Sequence, residues 1–210
     1  MPLTTRAKSF GRVGVGAPLA VANQTVGILG GSFNPPHDGH VQITGIALRR
    51  LHLDQLWWVV TPGNPLKSNG GLPPLPDRIS ACEKLMINPR VTITGFEARL
   101  GTPYTAATLG YLRRRFPGVH FVWIMGADNL ATFHRWQRWR EIASEVPIAV
   151  VDRPGWRLKA VASPAARALA AAYIPESQAA NLARMDAPVW TLLSGPLSPL
   201  SSTALRAAKS

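Results

Sequence analysis

Residues 25–40 have the sequence TVGILGGSFNPPHDGH, which joins a short apolar run to a helix-like segment through a loop rich in glycine and proline. The first five residues are mostly β-branched or apolar, and two glycines follow them directly. Glycine at a strand end lets a ligand approach the backbone closely. The paired prolines exclude helix until they are passed. The segment therefore predicts a strand, a ligand-binding loop and the start of a helix.

The same alternation of apolar runs and helical patterns continues along the chain. Strands that alternate with helices imply βαβ units and a parallel sheet. We predict an α/β fold, with a Rossmann-like doubly wound parallel sheet in a single domain. Strands are expected at 25–29, 56–60, 91–94, 119–125, 148–151 and 189–193. Helices are expected at 39–51, 76–86, 105–116, 164–172 and, as a short pair, across 129–143.

The charge balance of the chain favours anionic partners. Lys and Arg number 23 against 11 for Asp and Glu, a formal net charge of +12 over 210 residues. Such a field attracts phosphorylated molecules and nucleic acid alike. The basic residues are dispersed, and no RNA-binding signature accompanies them, so a nucleic-acid partner is not predicted. No apolar stretch approaches the roughly 20 residues of a membrane span, so a membrane partner is not predicted either.

The single cysteine, Cys82, excludes an internal disulfide framework. One cysteine suits a reducing compartment, and we predict a cytoplasmic protein. Its neighbours resemble a helix face, so a buried structural thiol is expected rather than a nucleophile.

The first 22 residues are predicted to form a disordered N-terminal arm, ahead of a domain at 23–210. Basic residues precede an apolar stretch at 13–21, and residues 20–22 resemble a signal-peptidase site, which leaves export open as an alternative. Two glycines and a proline in that stretch make a poor signal helix, so the arm is the preferred interpretation.

His37 and His40 lie at the predicted helix start, where the helix dipole and free backbone N–H groups attract anions. Asp38 is the expected N-cap. The two imidazoles can donate hydrogen bonds to phosphate oxygens, and no Walker lysine accompanies them. Two alternatives remain open, namely metal ligation and a helix cap beside a core histidine without chemistry.

A second candidate site lies near the C-terminus. Two prolines keep the chain extended, and Ser201 or Ser202 can cap a new helix. Arg206, one turn into that helix, could bind phosphate oxygens. The alternative is an ordinary capped terminal helix with a solvated arginine.

These two segments resemble a known pair of signatures. SFNPPHDGH at 32–40 resembles the (T/S)-F-x-P-x-H-x-G-H signature of the nucleotidyltransferase superfamily, and LSSTALR at 200–206 resembles its (I/L)-S-S-T-x-(I/L)-R signature. The span 26–206 resembles the nicotinate-nucleotide adenylyltransferases. The resemblance implies a transferase of NAD biosynthesis that makes deamido-NAD from ATP and nicotinate mononucleotide.

Further segments carry the resemblance and imply site residues: TPGNPLK at 61–67, PYTAATL at 103–109, GADNL at 126–130, FHRWQRW at 133–139 and DRPG at 152–155. The implied catalytic phosphate contacts are His37, His40, Lys67 and Arg206. The implied ATP-binding residues are Gly30, Gly31, Ser32, Phe33, Gly39, Gly126, Asp128, Arg153, Ser201, Ser202 and Thr203. The implied acceptor-binding residues are Tyr104, Thr105 and Trp136, with Trp136 stacked on the pyridine ring.

Several of these residues have simpler alternatives. Lys67 could be a solvated loop cation, Trp136 and Trp139 could fill the core, and Asp128 could be only a helix N-cap. Thr105 is also expected to be an N-cap. The chain departs from the family at 34, which is Asn where many members have Asp, and at 66, which is Leu where histidine is common.

The implied reaction is an in-line attack by a mononucleotide phosphate on the ATP α-phosphorus. Catalysis is expected to rest on positioning and electrostatic stabilisation, with Mg²⁺ held mainly by the triphosphate and no protein metal site. ATP and nicotinate mononucleotide are the expected partners, and a homo-oligomer is left open. The alternatives are a sister enzyme that acts on nicotinamide mononucleotide or phosphopantetheine, and a non-catalytic nucleotide- or RNA-binding protein.

Overall fold

The computed structural model of the protein describes residues 16–63, 72–101 and 104–195. Within these ranges the chain forms six strands: β1 (Thr25–Gly31), β2 (Gln55–Val60), β3 (Val91–Thr94), β4 (His120–Gly126), β5 (Ile148–Val151) and β6 (Trp190–Leu193). The α-helices in the same ranges are α1 (Asp38–Arg50), α2 (Leu75–Leu85), α3 (Thr105–Arg115), α4 (Ala127–Thr132), α5 (Trp139–Glu145), α6 (Arg157–Val161) and α7 (Pro164–Ala168). Of the helices described, none has the length and apolar character that a membrane crossing requires.

The six strands form one parallel sheet with the order β3-β2-β1-β4-β5-β6. Ile28 of β1 pairs with Trp57 of β2 on one side and with Trp123 of β4 on the other. The strand order reverses between β1 and β4, and ligands of such sheets bind in the crevice beyond the carboxyl ends of the strands at that point. The predicted α/β fold with a doubly wound sheet is confirmed, and the loop after β1 lies at the crevice.

Side chains of each strand alternate between two helical layers, as the twofold period of a strand requires. Val26 and Ile28 of β1 belong to the core on the face that α3, α4, α5, α6 and α7 cover. Leu29 belongs to the core on the opposite face, which α1, α2 and a 3₁₀ segment at Glu176–Arg184 cover. Both faces are therefore buried, which explains the nearly continuous apolar sequence of the central strands.

The predicted strands and the helices at 39–51, 76–86 and 105–116 are confirmed to within two residues at each end. The helix predicted at 164–172 is too long, because α7 ends at Ala168 and a separate 3₁₀ turn follows. The carbonyl of Leu169 accepts a 2.8 Å hydrogen bond from the Trp190 indole of β6. The same carbonyl accepts the Ala172 N–H (3.0 Å), which is the bond of the 3₁₀ turn.

Residues 16–22 contact the sheet although no helix or strand forms there. The Thr94 hydroxyl donates to the Gly16 carbonyl (2.9 Å), and the Gln55 side chain donates to the Leu19 carbonyl (3.2 Å). Residues 1–15 lie outside the described residues. The disordered arm and the domain boundary between residues 22 and 23 stay predictions. Residues 16–22, the last seven of the predicted arm, lie against the domain.

A buried hydrogen bond between α1 and β2 provides a test of this packing. The Trp58 indole N–H donates to the Thr44 hydroxyl (2.7 Å), and both side chains are buried. Thr44→Val leaves the indole N–H without a partner, so the free energy of unfolding should fall by about 1–3 kcal/mol. Urea unfolding measures the change.

Thr132→Val is the matched control, because among the described residues the Thr132 hydroxyl bonds only to the Asn129 carbonyl within its own helix (3.3 Å). It should change stability by less than about 0.5 kcal/mol. Equal losses in the two variants would contradict the role assigned to the Trp58–Thr44 bond.

Candidate active site

His37 is the N-cap of α1, and Asp38 is the first residue of the helix. The backbone of His37 is extended (φ −155°, ψ 168°), and its Nδ1 accepts a hydrogen bond from the Gly39 N–H (3.1 Å). The prediction that Asp38 caps the helix is therefore wrong. The imidazole reaches two residues forward and supplies the acceptor that a serine or aspartate supplies at most helix starts.

His40 completes a reciprocal cap. Its Nδ1 accepts a hydrogen bond from the His37 N–H (3.2 Å), and its own N–H donates to the His37 carbonyl (2.8 Å). The backbone N–H groups of Gly39 and His40 are therefore engaged within the helix start, and the prediction of free N–H groups does not hold for these two residues.

The cap also determines the tautomer of each ring. A neutral imidazole has one donor nitrogen and one acceptor nitrogen. Because Nδ1 accepts in both His37 and His40, each neutral ring carries its proton on Nε2. Each Nε2–H is then a donor that the cap does not use.

Burial keeps both rings neutral. Desolvation lowers the pKa of His37, and the positive charge of Arg153 lowers it further. Desolvation lowers the pKa of His40 to about 3, with His37 and Arg153 adding to the effect. At neutral pH the two side chains are therefore hydrogen-bond donors without charge.

Phe33 packs against the ring of His40 and against Trp58 of β2. Its ring stacks on Trp58 (centroids 4.8 Å apart) and lies 4.7 Å from the His40 ring. Phe33 is 1% exposed and has a left-handed backbone (φ 46°), so its side chain is part of the core. Any contact with ATP at this position would come from the backbone.

Gly30 allows β1 to pass close to an indole of the neighbouring strand. A Cβ at Gly30 would lie 2.5 Å from the Trp123 ring of β4. Trp123 in turn meets Trp136 edge to face, with centroids 6.2 Å apart. One indole therefore connects the end of β1 with the aromatic residue predicted to stack on the acceptor.

The end of β4 carries an ion pair. Arg153, just after β5, donates to Asp128 Oδ2 from Nη1 (3.0 Å), and a Cβ at Gly126 would lie 2.4 Å from Asp128 Oδ1. Asp128 is the second residue of α4, and Gly126 is its N-cap, so Asp128 is not the N-cap. Within the described ranges Asp128 Oδ1 is buried and has no hydrogen-bond partner.

The predicted acceptor residues lie at the start of α3 and after α4. Tyr104 is the N-cap of α3 and Thr105 is its first residue, so the prediction that Thr105 caps the helix is wrong. Trp139 is 8% exposed and fills the core, as one alternative expected. Trp136 is only partly buried and meets Phe133 edge to face (5.4 Å).

Five predicted residues lie outside the described residues. They are Lys67, Ser201, Ser202, Thr203 and Arg206. Their roles stay predictions. Of the remaining predicted residues, the structure places Gly30, Gly31, the two histidines, Gly126, Asp128 and Arg153 at adjacent strand ends.

Sequence reasoning missed two buried ionisable residues, Arg78 and Glu97, which are 3% and 5% exposed. The signal for Arg78 is its spacing from Cys82, which puts both on the buried face of α2. The Glu97 carboxyl bonds the hydroxyls of Thr108 (2.5 Å) and Thr61.

Burial raises the pKa of the Glu97 carboxyl, and its hydrogen bonds with Thr108 and Thr61 act in the opposite direction. The Thr61 hydroxyl also lies 2.7 Å from the Gly63 carbonyl. Glu97 therefore connects α3 with the loop after β2.

Across residues 16–63, 72–101 and 104–195, no three His, Cys, Asp or Glu side chains are grouped so as to hold a metal ion. An open depression lined by Arg49, His52, Asp54 and Arg90 lies at the opposite edge of the sheet, ahead of β2 and β3. None of the predicted site residues that the structure describes lines this depression.

Comparison with known proteins identifies the family of this chain. Residues 28–208 match the model of the cytidylyltransferase-like family. A protein of Rhizobium meliloti described as a probable nicotinate-nucleotide adenylyltransferase is 59% identical over 185 residues, which cover 88% of this chain and 98% of that protein. One of Agrobacterium fabrum with the same description is 58% identical and covers 86% and 97%.

A solved structure shares the fold at low sequence identity. The nicotinic acid mononucleotide adenylyltransferase of Plasmodium falciparum, in complex with NaAD, superposes with a TM-score of 0.65 at 18% identity. The alignment covers 88% of this chain and 83% of that one. The chain belongs to the cytidylyltransferase-like family and, within it, to the nicotinate-nucleotide adenylyltransferases.

Proposed function

We propose that this chain transfers the adenylyl group of ATP to nicotinate mononucleotide, with deamido-NAD and pyrophosphate as products. The observation that carries the proposal is the His37–His40 pair, whose two neutral Nε2–H donors stand at the switch point of the sheet. The relatives at 58–59% identity, described as probable enzymes of this kind, support the choice of acceptor.

The reaction needs positioned donors more than a base. A phosphate oxygen of the mononucleotide attacks the α-phosphorus of ATP, a P–O bond forms, and the bond from the α-phosphorus to the bridging oxygen breaks to release pyrophosphate. The attacking phosphate is already anionic at neutral pH. Neutral imidazole donors stabilise the charge that develops on the phosphate oxygens, as preorganised dipoles do in other enzymes.

Cations supply the remaining stabilisation in this proposal. Lys67 and Arg206 contact the phosphates, and Arg153 adds positive charge beside the histidines. Mg²⁺ accompanies ATP and neutralises charge on the triphosphate oxygens, which suit a hard cation. Asp128, one of the carboxylates near His37, is ion-paired with Arg153, and in this proposal the metal is carried by the substrate.

In this proposal the acceptor binds where Trp123 meets Trp136, and ATP binds where Trp123 meets Gly30 of β1. Trp136 stacks on the pyridine ring, and the start of α3 at Tyr104 and Thr105 binds its carboxylate.

We also propose that the enzyme works in the cytoplasm. Cys82 is buried, and burial raises the pKa of its thiol to about 12, so it behaves as an inert structural thiol suited to a reducing compartment.

Release of pyrophosphate from ATP tests the proposed reaction. We expect release with nicotinate mononucleotide to exceed that with nicotinamide mononucleotide or phosphopantetheine, because the α3 start and Trp136 are assigned to the pyridine carboxylate and ring. Mass spectrometry of the product should identify deamido-NAD. Absence of release with nicotinate mononucleotide, or faster release with either other acceptor, would overturn the proposal.

His40→Ala tests the role of the neutral donors. Loss of one preorganised donor should lower kcat by about 10²–10³-fold. Loss of the cap bond from the His37 N–H should cost only about 1 kcal/mol, so the variant should stay folded. Steady-state kinetics and circular dichroism measure the two effects.

His52→Asn is the control for a histidine far from the site. His52 is exposed and has a left-handed backbone (φ 49°), which asparagine tolerates. Its kcat should equal that of the wild type. Wild-type turnover in His40→Ala would remove His40 from the mechanism.

A further inference from the structure

Arg78 is a buried arginine on α2 whose side chain points into the protein. It is 3% exposed, and desolvation lowers its pKa. In the part of the chain that the structure describes, no carboxylate forms an ion pair with it. A buried charge is costly unless hydrogen bonds compensate. Such a residue in the middle of a helix therefore needs a specific set of acceptors.

Backbone carbonyls of separate loops supply those acceptors. Nη1 donates to the carbonyls of Ser32 and Thr61, both at 2.8 Å. Nε donates to the Pro73 carbonyl at 2.9 Å, and Nη2 makes a longer bond of 3.4 Å to the Pro62 carbonyl. One guanidinium thus joins the loop after β1 to the loop after β2 and to the chain ahead of α2.

Strand pairing between β1 and β2 ends just before these loops. The last strand-like bond between them runs from the Thr61 N–H to the Gly31 carbonyl (2.9 Å). Arg78 bonds the next carbonyl of the first loop, at Ser32, and so continues the cross-link where strand pairing ends. His37 follows on the first loop, and the segment toward Lys67 follows on the second.

We propose that Arg78 is a positioning residue for adenylyl transfer, which holds the two phosphate-handling loops at a fixed separation. The inference rests on the proposed function. The planar fork of arginine spans both loops, whereas the single ammonium of lysine does not present donors in the same geometry. A displacement of about 1 Å in a catalytic group can cost about 10²-fold in rate.

The test compares Arg78→Lys and Arg78→Met with the wild type. Arg90→Lys is the control, because Arg90 also donates to a backbone carbonyl (Leu53, 3.3 Å) but lies ahead of β3, at the edge of the sheet away from the site. Calorimetry counts the ATP sites per chain, steady-state kinetics gives kcat and KM, and hydrogen exchange reports on peptides that cover 32–37, 57–63 and 148–151.

We expect both Arg78 variants to bind one ATP per chain, with kcat about 10²-fold lower, and Arg90→Lys to match the wild type. Exchange should rise at 32–37 and 57–63 and stay unchanged at 148–151. A merely structural role predicts fewer ATP sites with an unchanged kcat per site, and that result overturns the proposal. Failure of both variants to fold overturns it as well.

The exchange measurement separates this proposal from the proposed function. A wild-type protein that makes no deamido-NAD would refute adenylyl transfer, while exchange at the two loops would still report whether Arg78 joins them. Unchanged exchange in both variants would refute the positioning role even in a fully active enzyme.

Discussion

The reciprocal cap between His37 and His40 is the constraint on which the rest of the site depends. Each ring uses Nδ1 to satisfy a backbone N–H at the start of α1, which leaves Nε2–H as the donor. The same residues therefore begin the helix and face the substrate crevice with a set tautomer. Burial, together with the charge of Arg153, keeps the rings neutral. Two donors are thus oriented before any substrate binds, which is the condition for electrostatic catalysis without reorganisation.

The parallel sheet brings the remaining parts to this cap from distant positions in the chain. β1 and β4 are neighbours, so Gly126 and Asp128 lie beside the loop that carries the histidines. Two buried ionisable groups then tie the loops together past the strand ends. Arg78 bonds the loops after β1 and β2, and Glu97 links the loop after β2 to α3. The proposed phosphate and acceptor sides therefore share one polar framework.

The sheet and the histidine pair could be predicted from sequence because their signals are local. Apolar runs between helical patterns predict all six strands, and a glycine-rich loop before two histidines predicts the candidate phosphate site. The sequence favours Asp38 as the N-cap because aspartate is the commoner cap, and only the geometry shows that the His37 imidazole reaches Gly39. Sequence reasoning missed Arg78, because its acceptors are backbone carbonyls of loops far away in sequence. Lys67 and Arg206 stay predictions.

Nuclear magnetic resonance of the histidine rings tests the central claim most directly. Long-range ¹H–¹⁵N correlation spectra should show His37 and His40 with the proton on Nε2 at neutral pH. His40 should stay neutral from about pH 8 down to about pH 5, because a pKa near 3 puts its protonation well below the usual range of histidine. A non-hydrolysable ATP analogue with Mg²⁺ should shift the Nε2–H signals. A proton on Nδ1 of either ring, or protonation of His40 within that range, would contradict the account.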